Sequence, residues 1–238
     1  MNLKKSTNIL SIRTSLPKEI KSRGTKDWWD KTWTSGFFKT EITKKTWLGH
    51  LGLDGDGQAD KKVHGGIDKA VCVYPNEHYQ YWNSLFDINQ SILGSFGENF
   101  TTESLLEKDV CIGDIFEVGE AIVQVSQPRQ PCWKLSRRWK IKNFSHTVQI
   151  EGKTGYYFRV LQSGIIEPTS ILTLKQRINK LWNISLCNEI MHIDKKNMKM
   201  AKELSLCKEL SESWKDSLTK RVQKGYAEPT DQRLKSLE

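Results

Sequence analysis

The 238-residue chain predicts a mainly β protein, a closed or nearly closed sheet with short helices, followed by a small C-terminal three-helix unit. Three observations carry this reading. Short alternating apolar segments bounded by glycine and polar turns recur between residues 8 and 175. Gly119-Glu120 separates Asp114-Ile-Phe-Glu-Val from Ala121-Ile-Val-Gln-Val, which is a hairpin signal. From Asn183 onward the apolar period lengthens from two to the spacing of a helix.

Asn8 to Thr14 reads as the first strand. Lys18 to Lys31 is polar and basic and reads as a surface loop whose Trp28 and Trp29, with Trp33, fold back onto the core. Gly36 to Thr43 and Trp47 to Leu53 read as strands, the second broken by Gly49 and Gly52. The segment after Leu53 is not a calcium loop, because an EF-hand starting at Asp54 needs glycine where Ala59 stands and glutamate where Gly65 stands. It is rich in turns and delivers His64 beside Gly65-Gly66, where a backbone can approach a ligand closely.

Ala70 to Tyr74 reads as a strand, and Pro75 to Leu85 as a helix with Pro75 at its start and Tyr79 and Trp82 inward. Glu98-Asn99 lies in a short glycine-bounded segment, Gly94 to Thr101. After the hairpin, Phe144 to Ile150 reads as a short helix, Tyr156 to Leu161 as a strand and Ser170 to Lys175 as the last strand. Leu186, Ile190 and Ile193, then Met198, Ala201 and Leu204, then Trp214, Leu218 and Val222 mark three helices, the third capped by Ser211. Packing or dimerisation is the expected role of these helices, since the last is not strongly basic on one face, as a DNA-reading helix is. The expected organisation is a barrel over 1–180, three helices over 183–224 and a flexible tail over 225–238.

No stretch reaches the roughly 18 apolar residues that span a bilayer, and the basic N-terminus is followed only by Ile9-Leu10 and Ile12 as an apolar run. A cytoplasmic protein without membrane association is expected. Cys72, Cys111, Cys132, Cys187 and Cys207 form no C-x-x-C pair, which fits reduced thiols rather than a disulfide framework or zinc ribbon. The net charge of +9 divides into +7 for residues 1–50, −2 for 51–176 and +4 for 177–238. Basicity at the ends favours a local anion site over a duplex-binding face, so nucleic acid is not the expected partner.

The richest chemistry lies in Gln127-Pro-Arg-Gln-Pro-Cys-Trp-Lys-Leu-Ser-Arg-Arg-Trp139. Pro131 suits a first helical turn, Leu135 and Trp139 make a buried stripe, and Cys132 then stands at a helix N-terminus flanked by Arg129 and Lys134. Unpaired helix amides and flanking cations favour a thiolate, which attacks electrophiles or binds metals. The alternative for Cys132 is a small buried residue, but apolar burial does not need two prolines and three basic groups nearby.

Several separated motifs in order resemble the MOSC domain proteins, named after the C-terminal domain of molybdenum-cofactor sulfurases, and within them the YiiM-like branch. They are Thr34-Ser-Gly-Phe-Phe-Lys, Gly55-Asp-Gly-Gln-Ala-Asp, Val63-His-Gly-Gly-Ile-Asp-Lys-Ala-Val, Tyr74-Pro-Asn-Glu-His-Tyr, Gly97-Glu-Asn-Phe-Thr, Gln127-Pro-Arg-Gln-Pro-Cys-Trp-Lys-Leu and Gly155-Tyr-Tyr-Phe-Arg-Val. Leu210-Ser-Glu-Ser-Trp resembles the three-helix (3-alpha) unit that follows the barrel in this branch. The resemblance implies a distorted β-barrel that binds a molybdopterin-type molybdenum cofactor, with Cys132 as metal ligand and catalytic centre. Arg129 and Lys134 would hold its anionic parts, and His64, Glu98, Asn99 and Arg159 lie in matching motifs as further cofactor-binding candidates.

The resemblance further implies an oxidoreductase of N-hydroxylated bases and related compounds, N–OH to N–H, as in detoxification of 6-N-hydroxylaminopurine. A soft thiolate ligand agrees with that chemistry. With no ferredoxin-like cysteine cluster in the sequence, electrons would come from a separate donor protein. Trp133, Tyr156, Tyr157 and Gly65-Gly66 are candidates for the walls of a planar substrate's pocket. A non-catalytic cofactor carrier or sulfur-handling module is the alternative function, and a homodimer is an open assembly state.

Overall fold

The computed structural model describes residues 6–86, 93–227 and 231–234. The chain begins with β1 (Ser6–Thr14), β2 (Lys18–Ile20), β3 (Trp33–Ser35), β4 (Thr40–Glu41), β5 (Thr46–Gly49) and β6 (Gly52–Leu53). Then come α1 (Lys61–His64), a 3-10 turn (Ile67–Lys69), β7 (Val71–Pro75), α2 (Glu77–Phe86) and β8 (Phe100–Thr102). The hairpin is β9 (Ile115–Val118) and β10 (Ala121–Pro128), followed by α3 (Trp133–Trp139), α4 (Phe144–Ile150), β11 (Tyr156–Gln162), β12 (Gly164–Ile166) and β13 (Ile171–Gln176). The C-terminal helices are α5 (Ile184–Asn188), which continues as a π turn (Glu189–Ile193), α6 (Met198–Ser205), α7 (Glu212–Lys224) and α8 (Asp231–Leu234).

The strands β13, β9, β10, β11, β7, β8 and β1 lie side by side in that order, and β1 pairs back onto β13 with Ser6 opposite Thr173. Seven strands therefore close into a barrel, which leaves no free edge along that circuit. All neighbours run antiparallel except β7 and β8, where Val73 lies opposite Phe100. Alternation directs Val71, Val73, Phe116, Val118, Val123, Val125, Tyr156, Phe158 and Val160 into one buried cluster. Leu204 of α6, Leu210 of the turn before α7, and Trp214 and Leu218 of α7 belong to the same cluster. The backbone also joins them to the barrel, since Ile184 N donates to Val110 O (2.9 Å) and Ser211 N to Ser126 O (2.9 Å).

A second cluster lies under α2, α3 and α4 and is mostly aromatic, with Tyr74 stacked on Phe96 at 4.2 Å and Leu135 fully buried beside Phe144. Burying one leucine contributes about 2 kcal/mol, so Leu135 alone anchors the short α3 firmly. The inward Tyr79 and Trp82 of α2 belong to this cluster.

Several sequence expectations need correction. Gly36 to Thr43 is a loop except for Thr40–Glu41, because β4 finds a partner only at the far end of β1, with Arg13 opposite Glu41. Lys18 to Lys31 is not all loop, since β2 pairs with β3 through Lys18 opposite Ser35. Pro75 ends β7 instead of starting α2, because its strand continues beside β8 as far as Thr102. Pro131 precedes the cap of α3 and does not occupy its first turn. Ile193 is exposed, as the π turn rotates it away from the face that Ile190 shares with the core. Within the segment read as a tail, Asp231–Leu234 forms α8, and Leu234 is buried.

His192 in the π turn is buried, and neither ring nitrogen has a hydrogen-bond partner among the described residues. Burial, helped by the charges of Arg233, Lys195 and Arg221, pushes its pKa from 6.5 down to about 3. Between those values the unfolded chain binds a proton that the folded chain refuses, so stability is lost as pH falls through that window. His64, pushed down to about 4, acts with the same sign. Urea melts are expected to show a midpoint that drops between pH 6.5 and 4, and a shallower drop for His192→Leu. Identical slopes in parent and variant would refute the assignment to His192.

Candidate functional site

Cys132 is the N-cap of α3, with extended backbone at φ −123° and ψ 167°. A cap residue usually accepts a hydrogen bond from its own helix, yet the Cys132 side chain makes none. The backbone around it is held instead. Ser145 Oγ donates to Cys132 O (2.6 Å), and Ser145 N donates to Ser136 Oγ (2.9 Å), tying α3 to α4. The Arg233 guanidinium of α8 donates to Pro131 O and to the Gln149 side chain. Upstream, Arg129 N donates to Gly155 O (3.0 Å). Gly155 has φ +70°, and a Cβ there would stand 2.2 Å from Val73 O, so only glycine lets this turn lie against β7. The thiol is thus presented by a rigid segment and left out of that segment's own hydrogen bonds.

Cys132 opens into a solvent-open cleft of about 670 Å³, a volume that includes its mouth. One wall comes from the barrel, where Cys72 of β7 lies opposite Tyr157 of β11 in register, and both side chains line the space. The opposite rim is the loop after β3 with the turn after β6, where a Cβ on Gly36 would meet Gly57 O at 2.3 Å. His64, Lys69 and Lys134 complete the lining.

The cleft is cationic. Lys39 and Asp56 form a buried ion pair, and Asp56 also accepts from Asn99 Nδ2 (2.9 Å) and Ser15 N (2.9 Å), so this pair is internally neutral. Arg129, Lys69 and Lys134 remain. Arg129 is 7% exposed, and no carboxylate among the described residues is ion-paired with it. Burial opposes its charge, while the thiol and phenol groups of Cys72, Tyr157, Cys132 and Tyr74, where ionised, favour it, and the net direction is upward. Lys69 Nζ donates to Val63 O (2.6 Å) and Lys134 Nζ to Thr34 O (2.9 Å), which leaves further ammonium hydrogens on each. Burial, then Lys134, Lys69 and Arg129, keep His64 neutral at pH 7. Burial raises the Cys72 thiol and, foremost among several causes, the Tyr157 phenol, so both carry their protons. Three cations without an ion-paired carboxylate thus share the cleft lining with the thiols of Cys72 and Cys132, an arrangement whose electrostatics favour an anion.

Of the residues singled out by sequence, Cys132, Arg129, Lys134, His64 and Asn99 line this cleft. Glu98 and Arg159 do not. Glu98 is fully buried and accepts from Tyr79 OH (2.6 Å), Gly94 N (2.9 Å), Phe96 N (3.1 Å) and Thr101 Oγ1 (2.8 Å), so it shapes the loop that places Asn99. Arg159 pairs with Asp68 (2.8 Å) in the 3-10 turn, and Asp68 also accepts from Glu212 N of α7 (3.2 Å), so Arg159 ties barrel to helices. Tyr156 points into the barrel core with its hydroxyl on Leu105 O, whereas Tyr157, next along the strand, faces the cleft. Trp133 packs on Trp33 at 5.8 Å, away from the cleft lining, and Gly65-Gly66 also stands outside it.

Lys39, Asp56, Lys69 and Cys72 are cleft residues that sequence reasoning missed, whereas Tyr157 is the one expected wall residue that the structure places in the lining. A usable signal existed for Tyr157, since alternation in Tyr156 to Leu161 puts every second side chain outside the barrel. Glu98→Gln would leave one amide of the loop without its acceptor and set a donor against it, at a cost of about 1–3 kcal/mol. Thermal unfolding is expected to show that loss with ligand affinity little changed, and unchanged stability would contradict the structural role.

Residues 60–172 match the model of the MOSC domain, and residues 184–225 match the model of the YiiM-like, 3-alpha helix domain. Protein YflK of Bacillus subtilis is 40% identical over 214 residues, 90% of this chain and 94% of that protein. The crystal structure of YiiM from Geobacillus stearothermophilus superposes with a TM-score of 0.75 at 36% identity, covering 91% of this chain and 99% of that one. A Gibberella moniliformis protein named Reductase is 31% identical over 159 residues, which is 63% of this chain but 27% of that protein. Similarity in sequence and in fold thus extends along almost the whole length, and the chain belongs to the MOSC domain family, in the branch that carries the YiiM-like 3-alpha helix domain.

Proposed function

We propose that this protein is a molybdenum-cofactor-dependent reductase that converts N-hydroxylated bases and related compounds to the corresponding amines. The observation that carries the proposal is Arg129, a buried cation with no carboxylate partner among the described residues, lining the same cleft as the Cys132 thiol. Such a pair fits a cofactor with a phosphate and a soft metal, because a buried charge demands a counter-charge and a thiolate is a suitable ligand for dithiolene-bound molybdenum.

Cys132 would hold the metal, while Arg129, Lys69 and Lys134 would bind the anionic groups. When bound, the cofactor supplies two-electron removal of an oxygen atom from an N–OH group. Neutral His64 adds no charge to a cleft already cationic and offers the substrate a hydrogen-bonding edge. Tyr157, protonated, offers a ring face and a hydroxyl donor, which suits a planar heterocycle. Family membership and a relative named Reductase support the reading at the level of class.

The test is protein made in a host that synthesises the cofactor, assayed for molybdenum and pterin and for reduction of N-hydroxyaminopurine and a simple amidoxime with a chemical electron donor. Amine formation by loaded protein and none by the metal-free form is expected. Cofactor bound one to one without turnover of either compound would replace the reductase reading with that of a carrier.

A further inference from the structure

We infer that the basic face formed by residues 18–31 and 133–142 is the docking surface for an acidic electron-transfer protein, an assignment that rests on the reductase reading above. The two segments hold ten basic and three acidic residues, a net +7 of the chain's +9. Lys21, Arg23, Lys26, Lys31, Lys140 and Lys142 are all exposed, and none is ion-paired with a described carboxylate. One of the three acids, Asp30, is turned inward to accept from Arg23 N (2.8 Å) and Thr25 N (2.7 Å), so its charge, already counted in the +7, is not presented at the surface.

The two segments form one face although they are a hundred residues apart. Lys140 Nζ stands 4.0 Å over the ring of Trp29, Lys134 Nζ donates to Thr34 O, and Trp33 packs against Trp133. The same elements continue into the cleft, since Ser35, Gly36 and Lys134 line it and Cys132 caps α3. A partner seated on this face therefore sits beside the mouth of the candidate site.

The reaction needs such a partner. An N–O bond breaks, an N–H bond forms and the oxygen leaves as water, which takes two electrons and two protons from outside. Among the described residues there is no group of three or more metal-ligating side chains that could form an internal relay. A one-electron carrier of the flavodoxin type would serve twice per turnover, two reduced carriers each giving up one electron. Nucleic acid fits the face less well. Trp33 is buried against Trp133 and Phe38, guanidinium groups cover Trp133 (Arg137, 4.5 Å) and Phe38 (Arg138, 4.8 Å), and Lys140 covers Trp29, so of the rings on this face only Trp28 is exposed to a base and no stacking platform of several rings is formed.

The test compares parent and a Lys26→Glu/Lys31→Glu/Lys142→Glu variant, both cofactor-loaded, with reduced flavodoxin and with saturating reduced methyl viologen. Steered association responds steeply to charge and salt, so the flavodoxin-driven rate at low salt is expected to fall about tenfold or more and to lose its salt dependence. The viologen-driven kcat is expected to stay within about twofold, since the cleft is untouched. Equal flavodoxin-driven rates in both proteins would overturn the docking assignment alone. No turnover of the parent with methyl viologen would overturn the reductase reading and this assignment with it. Salt-sensitive binding of a single-stranded oligonucleotide, without binding of flavodoxin, would give the face to nucleic acid.

Discussion

Cys132→Ala is expected to lose bound molybdenum and turnover together while keeping its fold. The thiol makes no cap bond to α3, and the bonds that hold the segment run through the Cys132 carbonyl and through Pro131 O, which alanine preserves. Trimming one small side chain at a cleft wall costs on the order of 1 kcal/mol or less, which for a chain of this size moves the melting temperature by about 2–4 °C. Cys111→Ala is the matched control. Its thiol is buried near Lys180 O and pushed up to about 11, chiefly by burial, and it stands outside the cleft. That variant is expected to lose stability and keep its metal. Elemental analysis and a thermal melt on the same preparations decide the matter, and full molybdenum content in the Cys132 variant would refute its role as ligand.

Arg129→Ala is expected to cut cofactor loading roughly tenfold or more without lowering the stability of the metal-free protein. A charge-assisted hydrogen bond to an anion is worth about 1.5–3 kcal/mol, and in the empty protein the same guanidinium is a buried charge without a carboxylate, whose removal relieves desolvation. The backbone bond from Arg129 N to Gly155 O survives the substitution. Arg129→Lys is expected to load to an intermediate extent, since it restores charge but not the planar fork. Lys134→Ala acts in the same direction with a smaller effect, because Lys134 is only half-buried. Equal pterin and molybdenum content in Arg129→Ala and parent would leave the arginine as part of the wall and remove the main support for an anionic ligand.

Much of the barrel was legible because strands announce themselves locally. The turn at Gly119-Glu120, the alternation in Tyr156 to Leu161 and the strand after Ala70 all appear where pattern places them. The helices after Asn183 were legible for the same reason, with Asn183 and Ser211 capping α5 and α7 through their side chains. Cys132 was legible because its setting is local: a proline, a cap position and a buried Leu135 three residues on. Loops failed where their order comes from a distant partner. Gly36 to Thr43 alternates, yet most of it has no neighbouring strand, and Pro75 looks like a helix start but completes a pairing with β8.

Periodicity and turn chemistry within a few residues set the class of fold, the helical unit after it and the position of Cys132 at the start of a helix. Which cations are left without an ion-paired carboxylate depends on contacts between distant parts of the chain. Arg129 and Arg159 both lie in matching motifs, and before folding only the nearness of Arg129 to Cys132 in the chain distinguishes them. Strand register sets Arg159 against Asp68 at 2.8 Å, while Arg129 enters a cleft walled by Cys72, Tyr157 and Cys132 with no carboxylate paired to it. An ion pair forms or fails according to which opposite charge the fold brings within a few ångströms, and for residues ninety or more apart in the chain that distance is fixed by the closure of the barrel.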